Sequence, residues 1–382
     1  MKILAVTGTR ADWGLLQPVL LRMKAEAELD VSICATGQHL VAGETSLEAM
    51  KAEGFEPEFL VDMGLGASDS PKHLSAAMGR GAEGIGCVLA DLAPDIMLVL
   101  GDRYEILAMV SSALVFRIPV AHLCGGDLTH GAFDDAIRHA ITKLSALHFV
   151  TNNDAARRVI QMGEDPENVV VSGSPGIDRI KSQPIISRNK FLSDLGLDPA
   201  NAFAMVSFHP ETLAEDPSLQ LKELLDALAR RPDLGLLLTG SNADPGGKEI
   251  DRAFAEMAMQ IPNTVFVRSL GSQRYFSGLH HAVALLGNSS SGLYEAPSFA
   301  TPTVNIGTRQ KGRLEASSVI TCDATRDAIL AALDTAIAWH DGHGEVTNPF
   351  GDGNAAQRIV EKLLSITEPR DLIRKQFREI GQ

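Results

Sequence analysis

Lys2-Ile3-Leu4-Ala5-Val6-Thr7-Gly8-Thr9-Arg10-Ala11-Asp12 opens as a short apolar run and stops in a polar, glycine-bearing loop. Leu15, Leu16, Val19, Leu20 and Met23 follow at helical spacing. A buried strand, a loop and a helix with one apolar face make one strand–helix unit. The unit recurs around residues 31–35, 96–100, 120–123, 147–150 and 169–172. Continuous apolar runs, in place of alternating ones, belong to a parallel sheet covered by helices on both faces. Residues 182–190, with Gln183-Pro184 and polar neighbours, interrupt the scheme, which restarts at 203–208, 234–238, 265–267, 283–286 and 304–306. The sequence therefore predicts an α/β chain of two Rossmann-like, doubly wound domains, 1–182 and 183–365. The remainder, 366–382, carries Arg370, Arg374, Lys375 and Arg378 among acidic residues and is expected to be a solvated helix packing back on the first domain.

Composition agrees with two folded domains. The chain of 382 residues is too long for one core at roughly 100–200 residues per domain. Its 45% hydrophobic and 21% charged content excludes disorder as the main state. With 34 basic against 48 acidic side chains, the net charge of −14 argues against a nucleic-acid partner or an anionic membrane surface. A small anionic ligand is still compatible, because local arginines and helix N-termini act at short range. Cys34, Cys87, Cys124 and Cys322 are widely spaced and form no Cys-x-x-Cys pair, which suits a reducing cytosol and gives no zinc signature. The first residues carry no signal-peptide pattern, and no apolar stretch approaches the ~20 residues of a membrane span, so a cytoplasmic location is expected.

Ligands of such sheets bind beyond the carboxyl ends of the strands, so the loops there carry the chemistry. After the first strand, Gly8 permits close backbone approach and Arg10 can fork onto a phosphate, with Asp12 beside them. An ordinary tight turn with Asp12 as a helix cap accounts for the same residues. No G-x-G-x-x-G follows the strand, so a dinucleotide fingerprint is excluded. After residues 96–100, Gly101-Asp102-Arg103-Tyr104-Glu105 sets a carboxylate beside a guanidinium, a base next to an anion clamp. The densest stretch is His122-Leu123-Cys124-Gly125-Gly126-Asp127, continuing through Asp134-Asp135 to Arg138-His139. Asp134/Arg138 and Asp135/His139 are i,i+4 pairs, each on one helical face. Crowded carboxylates push one pKa upward, as an acid/base pair requires. His122, His130, His139 and His148 match no metal-ligand spacing, so no metal is expected.

In the second half, His209 and Asn242 close successive strands. The stretch from Asn242 to Lys248 lacks the first Gly and the hydroxyl of a Walker A loop. Gly287-Asn288-Ser289-Ser290-Ser291-Gly292 leads into a helix expected over 293–299, placing hydroxyls and backbone N–H groups around an anion. Glu295, one turn on, is within reach of a ribose diol, and Arg309 and Arg313 after the next strand can neutralise a diphosphate. Ser289, Ser290 and Ser291 lack a G-x-S-x-G frame, so a nucleophilic serine is not expected.

These loops, taken in order from about residue 1 to 365, resemble the UDP-N-acetylglucosamine 2-epimerase family. The long third motif, Gly125-Gly126-Asp127 through Asp134-Asp135-Ala136-Ile137-Arg138-His139-Ala140-Ile141-Thr142-Lys143, is its most specific part. Arg10-Ala11-Asp12 and Ile137–Lys143 resemble the hydrolysing branch, where the non-hydrolysing branch has Arg-Pro-Glu. The resemblance implies a GT-B-like fold, two Rossmann-like domains facing across a cleft, in a homodimer or homotetramer. It implies conversion of UDP-N-acetylglucosamine to N-acetylmannosamine and UDP for sialic-acid-type synthesis, or the same reaction on a 2,4-diacetamido-trideoxy analogue for legionaminic-type acids. By the same resemblance Asp102, Asp134 and His122 match catalytic positions, with Asp127 nearby. Arg10, Arg103, His209, Asn242, Ser289, Ser290, Glu295 and Arg309 match nucleotide or sugar contacts, and Arg138 and His139 are further candidates. Two departures stand out: Cys124 occupies the place of a Glu found in some members, and Trp13 that of a Tyr, read as a sugar-stacking variation.

The chemistry points the same way. The C2 proton of an N-acetylhexosamine is not acidified by a carbonyl, so direct abstraction is implausible. Departure of UDP builds positive charge at C1, and that charge acidifies C2–H. A carboxylate, Asp102 or Asp134, removes the proton to give a 2-acetamidoglucal, and water then adds at C1 while C2 regains a proton. Arg309 and the serine loop stabilise the departing diphosphate. The scheme calls for no metal, nicotinamide or other cofactor. A GT-B glycosyltransferase and a non-catalytic sugar-nucleotide sensor are the competing readings.

Overall fold

The computed structural model describes residues 1–66, 68, 70–129, 133–210, 217–241, 246–342 and 344–379. The chain forms two compact units, Met1–Arg179 with Phe350–Gln382, and Ile180–Pro349. The first holds β1 (Lys2–Thr7), β2 (Asp30–Thr36), β3 (Phe59–Val61), β4 (Ile96–Leu100), β5 (Val120–Leu123), β6 (Leu147–Val150) and β7 (Val169–Val171). They pair in the order β3-β2-β1-β4-β5-β6-β7, all parallel. The second holds β8 (Phe203–Ser207), β9 (Gly235–Thr239), β10 (Thr264–Val267), β11 (Ala284–Gly287), β12 (Thr303–Ile306) and β13 (Val319–Cys322), in the parallel order β10-β9-β8-β11-β12-β13. In both sheets the order reverses beside the first strand of the unit, which opens a crevice at the carboxyl edge there.

Strand periodicity divides each core into two layers. Ile3 and Ala5 face one side with Ile33, Leu98, Ala121 and Phe149, under the helices Arg10–Met23 and Ala355–Leu364. Leu4 and Val6 face the other with Met97, Val99 and Val120, under Pro71–Leu92 and Tyr104–Val115. The second unit repeats the plan, with Ala204 and Val206 on one side and Phe203 and Met205 on the other. No described helix is long and apolar enough to cross a membrane.

Three expectations need correcting. The chain returns to the first unit at Phe350, earlier than the 366 read from the sequence. Ile359, Val360 and Leu363 of Ala355–Leu364 belong to the first core, and the Asp178 carboxylate accepts the N–H groups of Ala355 (3.1 Å) and Ala356 (2.8 Å) at that helix's start. The tail is not an α-helix: a 3-10 helix, Pro369–Arg374, gives way to extended chain. The helix expected over 293–299 is a four-residue turn, Ser291–Tyr294, and a 3-10 helix, Ala296–Phe299, because Pro297 brings no N–H to a continuing helix. Four residues carry too few aligned peptides to act as an anion-binding dipole.

Candidate active site

At the carboxyl end of β1 the Thr9 hydroxyl accepts the Asp12 N–H (3.1 Å) and starts the helix Arg10–Met23. Arg10 is exposed, while Asp12 is buried and its Oδ2 has no hydrogen-bond partner among the described residues. Burial pushes the Asp12 carboxyl up to about 6, against the opposing pull of Thr9, Arg103 and the Gly8 backbone. Gly8 lies over it, so that a side chain there would touch Asp12 Oδ2. Trp13 is not a sugar platform. It is 3% exposed, edge-on to Phe55, with its indole N–H on Glu53 (2.7 Å).

On the neighbouring strand, β4, Arg103 is not a free anion clamp. Its guanidinium forks onto Glu105 (3.0 and 3.3 Å), whose side chain is fully buried. Asp102 instead forms an ion pair with Arg138, which projects from the helix Asp134–Leu144. Arg138 also donates to the Asp127 carbonyl (2.7 Å) and the Thr129 hydroxyl (2.9 Å), and lies 3.7 Å from Asp135. It is thus paired to Asp102 and Asp135, and not to Asp134 as the helical spacing suggested. The Asp134 side chain, in the first turn, has no hydrogen bond or ion pair among the described residues.

Beyond β5 the chain turns through Cys124, whose φ of 62° is left-handed. Gly126, at φ 79°, admits no side chain, since a Cβ would lie 2.5 Å from the Ala155 carbonyl. The turn presses on His122, whose Nε2–H donates to the Gly101 carbonyl (2.8 Å), leaving Nδ1 facing the Thr142 hydroxyl (3.3 Å). Burial drives its pKa down to about 3, so the ring is neutral and enclosed, a brace between strand and helix. Asp127 is likewise engaged, accepting from Thr151 (2.8 Å) and Asn152 (3.5 Å), with its pKa raised by burial. His139 faces Asp135 (3.5 Å). Burial and the neighbouring Asp127 raise the Cys124 thiol, with Asp102 and Asp12 adding to the shift. The carboxyl ends of β1, β4 and β5 therefore converge on one acidic cluster.

The second unit gathers the other group. Gly287 ends β11 at φ 136°, and any side chain there would overlap the Ser207 carbonyl of β8. Asn288, buried next to it, binds both backbone groups of His209 (2.8 Å each). Its own carbonyl accepts from Arg309 (3.2 Å) and Gln310 (2.7 Å), so three loops are tied through one residue. His209 Nδ1 meets Ser241 (3.3 Å). Ser290 and Arg313 are exposed and Ser289 half-buried, while Gly292 packs on Thr303. Burial raises the Glu295 carboxyl, and its buried Oε2 has no hydrogen-bond partner among the described residues. Asn242 and His130 lie outside the described residues. An open depression of about 750 Å³ elsewhere on this unit, between Ala300, Glu315 and Thr347, contains none of these side chains.

Residues 21–364 match the UDP-N-acetylglucosamine 2-epimerase family. The chain belongs to that family. It is 35% identical over 377 residues to the UDP-N,N'-diacetylbacillosamine 2-epimerase (hydrolyzing) of Legionella pneumophila, covering 98% of each chain. It is 36% identical over 324 residues to the GDP/UDP-N,N'-diacetylbacillosamine 2-epimerase (hydrolyzing) of Campylobacter jejuni, 84% of this chain and 83% of that one. The structure of UDP-GlcNAc 2-epimerase from Neisseria meningitidis bound to UDP-GlcNAc superposes with a TM-score of 0.80 at 20% identity, covering 96% and 100% of the two chains. The GT-B-like fold of two parallel-sheet α/β domains is thus common to this epimerase-family chain and that structure. Among its described residues no three His, Cys, Asp or Glu side chains are grouped to hold a metal ion. Sequence reading missed the supports of this family member's loops: Glu105 under Arg103, Thr142 beside His122, and Asn288 with Gln310. Asn288 stood in the quoted serine loop, but nothing local marks it as the tie between three strand ends.

Proposed function

We propose that this chain is a hydrolysing sugar-nucleotide 2-epimerase. It converts UDP-N-acetylglucosamine, or its 2,4-diacetamido-trideoxy analogue, to the free manno-configured sugar and UDP. The observation that carries the reading is the Asp102–Arg138 pair at the carboxyl edge of β4, inside an acidic cluster, in a chain with hydrolysing 2-epimerases among its relatives. A glycosyltransferase would need an acceptor groove in place of this carboxylate-rich loop. Asp102 takes the C2 proton as the C1–O bond breaks and its electrons leave with UDP. Water then adds to C1 of the glycal and gives its proton to Asp134, while a solvent-exchanged carboxylic acid of the cluster delivers a proton to the opposite face of C2. Glu295 receives the ribose hydroxyls, and Arg309 with the serine loop stabilises the diphosphate as it departs.

Two experiments test this. Turnover in deuterium oxide is expected to place deuterium at C2, and oxygen-18 from water is expected at C1 of the sugar. Protium retained at C2, or label in the UDP, rules out elimination. Glu295→Ala is expected to weaken UDP binding by about 1–3 kcal/mol, because a buried diol loses its acceptor. Unchanged affinity by calorimetry removes Glu295 from the nucleotide site.

A further inference from the structure

The tail of the chain reaches a buried acidic group that the proposed reaction does not use. The Glu164 side chain, 3% exposed, accepts from His148 (3.0 Å), Lys143 (2.5 Å) and Lys375 (2.9 and 3.0 Å). Lys375 Nζ also donates to the carbonyls of Lys143 (2.5 Å) and Ser145 (2.7 Å), which close the helix Asp134–Leu144. The residues after it keep the tail seated. Arg378 donates its backbone N–H to the Gly163 carbonyl (3.0 Å) and its guanidinium to Asp165 (2.7 Å), and the Phe377 ring covers Gly163 so closely that no side chain fits there.

The helix so clamped carries the acidic cluster's supports. Asp134 is in its first turn, Arg138 in its middle pairs with Asp102, and Thr142 faces His122. His122 stands beside His148 in the β5–β6 register, so the polar layer under the helix runs without a break from Glu164 to the turn at Gly125. A helix moves as a rigid element, so a clamp on its last carbonyls sets the position of the guanidinium two turns earlier.

We propose that Lys375 is a positioning residue for the reaction, acting through the helix Asp134–Leu144 on the Asp102–Arg138 pair. The proposal rests on the epimerase reading. Its test therefore starts with UDP release by the unaltered protein, and failure at that step counts against that reading alone. Two further readouts belong to Lys375: kcat against KM, and amide hydrogen exchange along 134–144. Lys375→Met is expected to lower kcat by about 2- to 30-fold with KM unchanged, and to speed exchange in that helix. Lys375→Arg, which keeps the charge on Glu164, is expected to recover most of both. Arg378→Ala, which frees only the exposed end of the tail, is a milder variant expected to move both readouts in the same direction. A lowered melting temperature with kcat and helix exchange at wild-type values in both Lys375→Met and Arg378→Ala overturns the proposal, as does a rise in KM at constant kcat.

Discussion

Asp102→Asn is expected to slow release of UDP from the sugar nucleotide by about 10²–10⁴, the span of a positioned acid or base. The substitution keeps the side chain's shape and removes its capacity to take a proton. Arg138 does not lose its place, because the Asp127 carbonyl, the Thr129 hydroxyl and Asp135 still hold it. Asp102 is a quarter exposed, and buried Arg138 keeps its other partners, so the substitution leaves no buried charge unpaired. UDP affinity is expected to stay unchanged, since Glu295 and Arg309 belong to the other unit. Single-turnover kinetics and UDP calorimetry on the same preparation separate the two effects. Turnover at the wild-type rate removes Asp102 from the chemistry, and a parallel fall in UDP affinity makes it a binding group instead.

Why was Asp102 legible while its partner was not? A carboxylate after a buried strand is visible in one sequence, because the strand's apolar run fixes where its carboxyl end lies. Arg138 is 36 residues away, and helical spacing alone points it at Asp134. Only the helix's rotation against β4 and β5 turns it toward Asp102. The same limit applies to His122, Asp127 and Arg103: residue type and loop position made them candidates for ligand contact. The hydrogen bonds of His122 to Gly101 and of Asp127 to Thr151 are set by tertiary neighbours that no local pattern encodes, whereas Glu105 is only two residues from Arg103.

The fold was legible for a related reason. Interior strands such as β1, β4 and β8 are buried on both faces and so read as unbroken apolar runs. The two strands the sequence reading missed, β3 and β13, lie at sheet edges and are partly exposed, and their apolar runs, Phe59-Leu60-Val61 and Val319-Ile320, are too short to stand out. Pro297 is a local signal against a helix over 293–299 that the apolar residues around it mask. The tail's charges suggested solvent, yet Lys375 inserts against Glu164, a partner 211 residues away.

That distant pair gives the largest expected change in stability. Glu164→Ala is expected to destabilise the first unit by about 3–5 kcal/mol, since Lys375 and Lys143 lose their shared counterion and Lys375 is left beside buried His148. For a unit of this size that corresponds to a fall of roughly 6–20 °C in melting temperature. The effect carries its own pH signature. Burial acts to raise the Glu164 pKa, but the hydrogen bonds from His148, Lys143 and Lys375 outweigh it and bring the pKa from 4.5 down to about 2. A carboxyl depressed on folding adds stability that is fully present above its unfolded pKa and disappears as pH falls through the folded one. The gap between wild type and Glu164→Ala in urea midpoint is therefore expected to be constant above about pH 4.5 and to close toward pH 2. A gap of the same size at every pH would mean that Glu164 stabilises by packing alone, and a gap that widens in acid would mean that the cluster is strained by its charges.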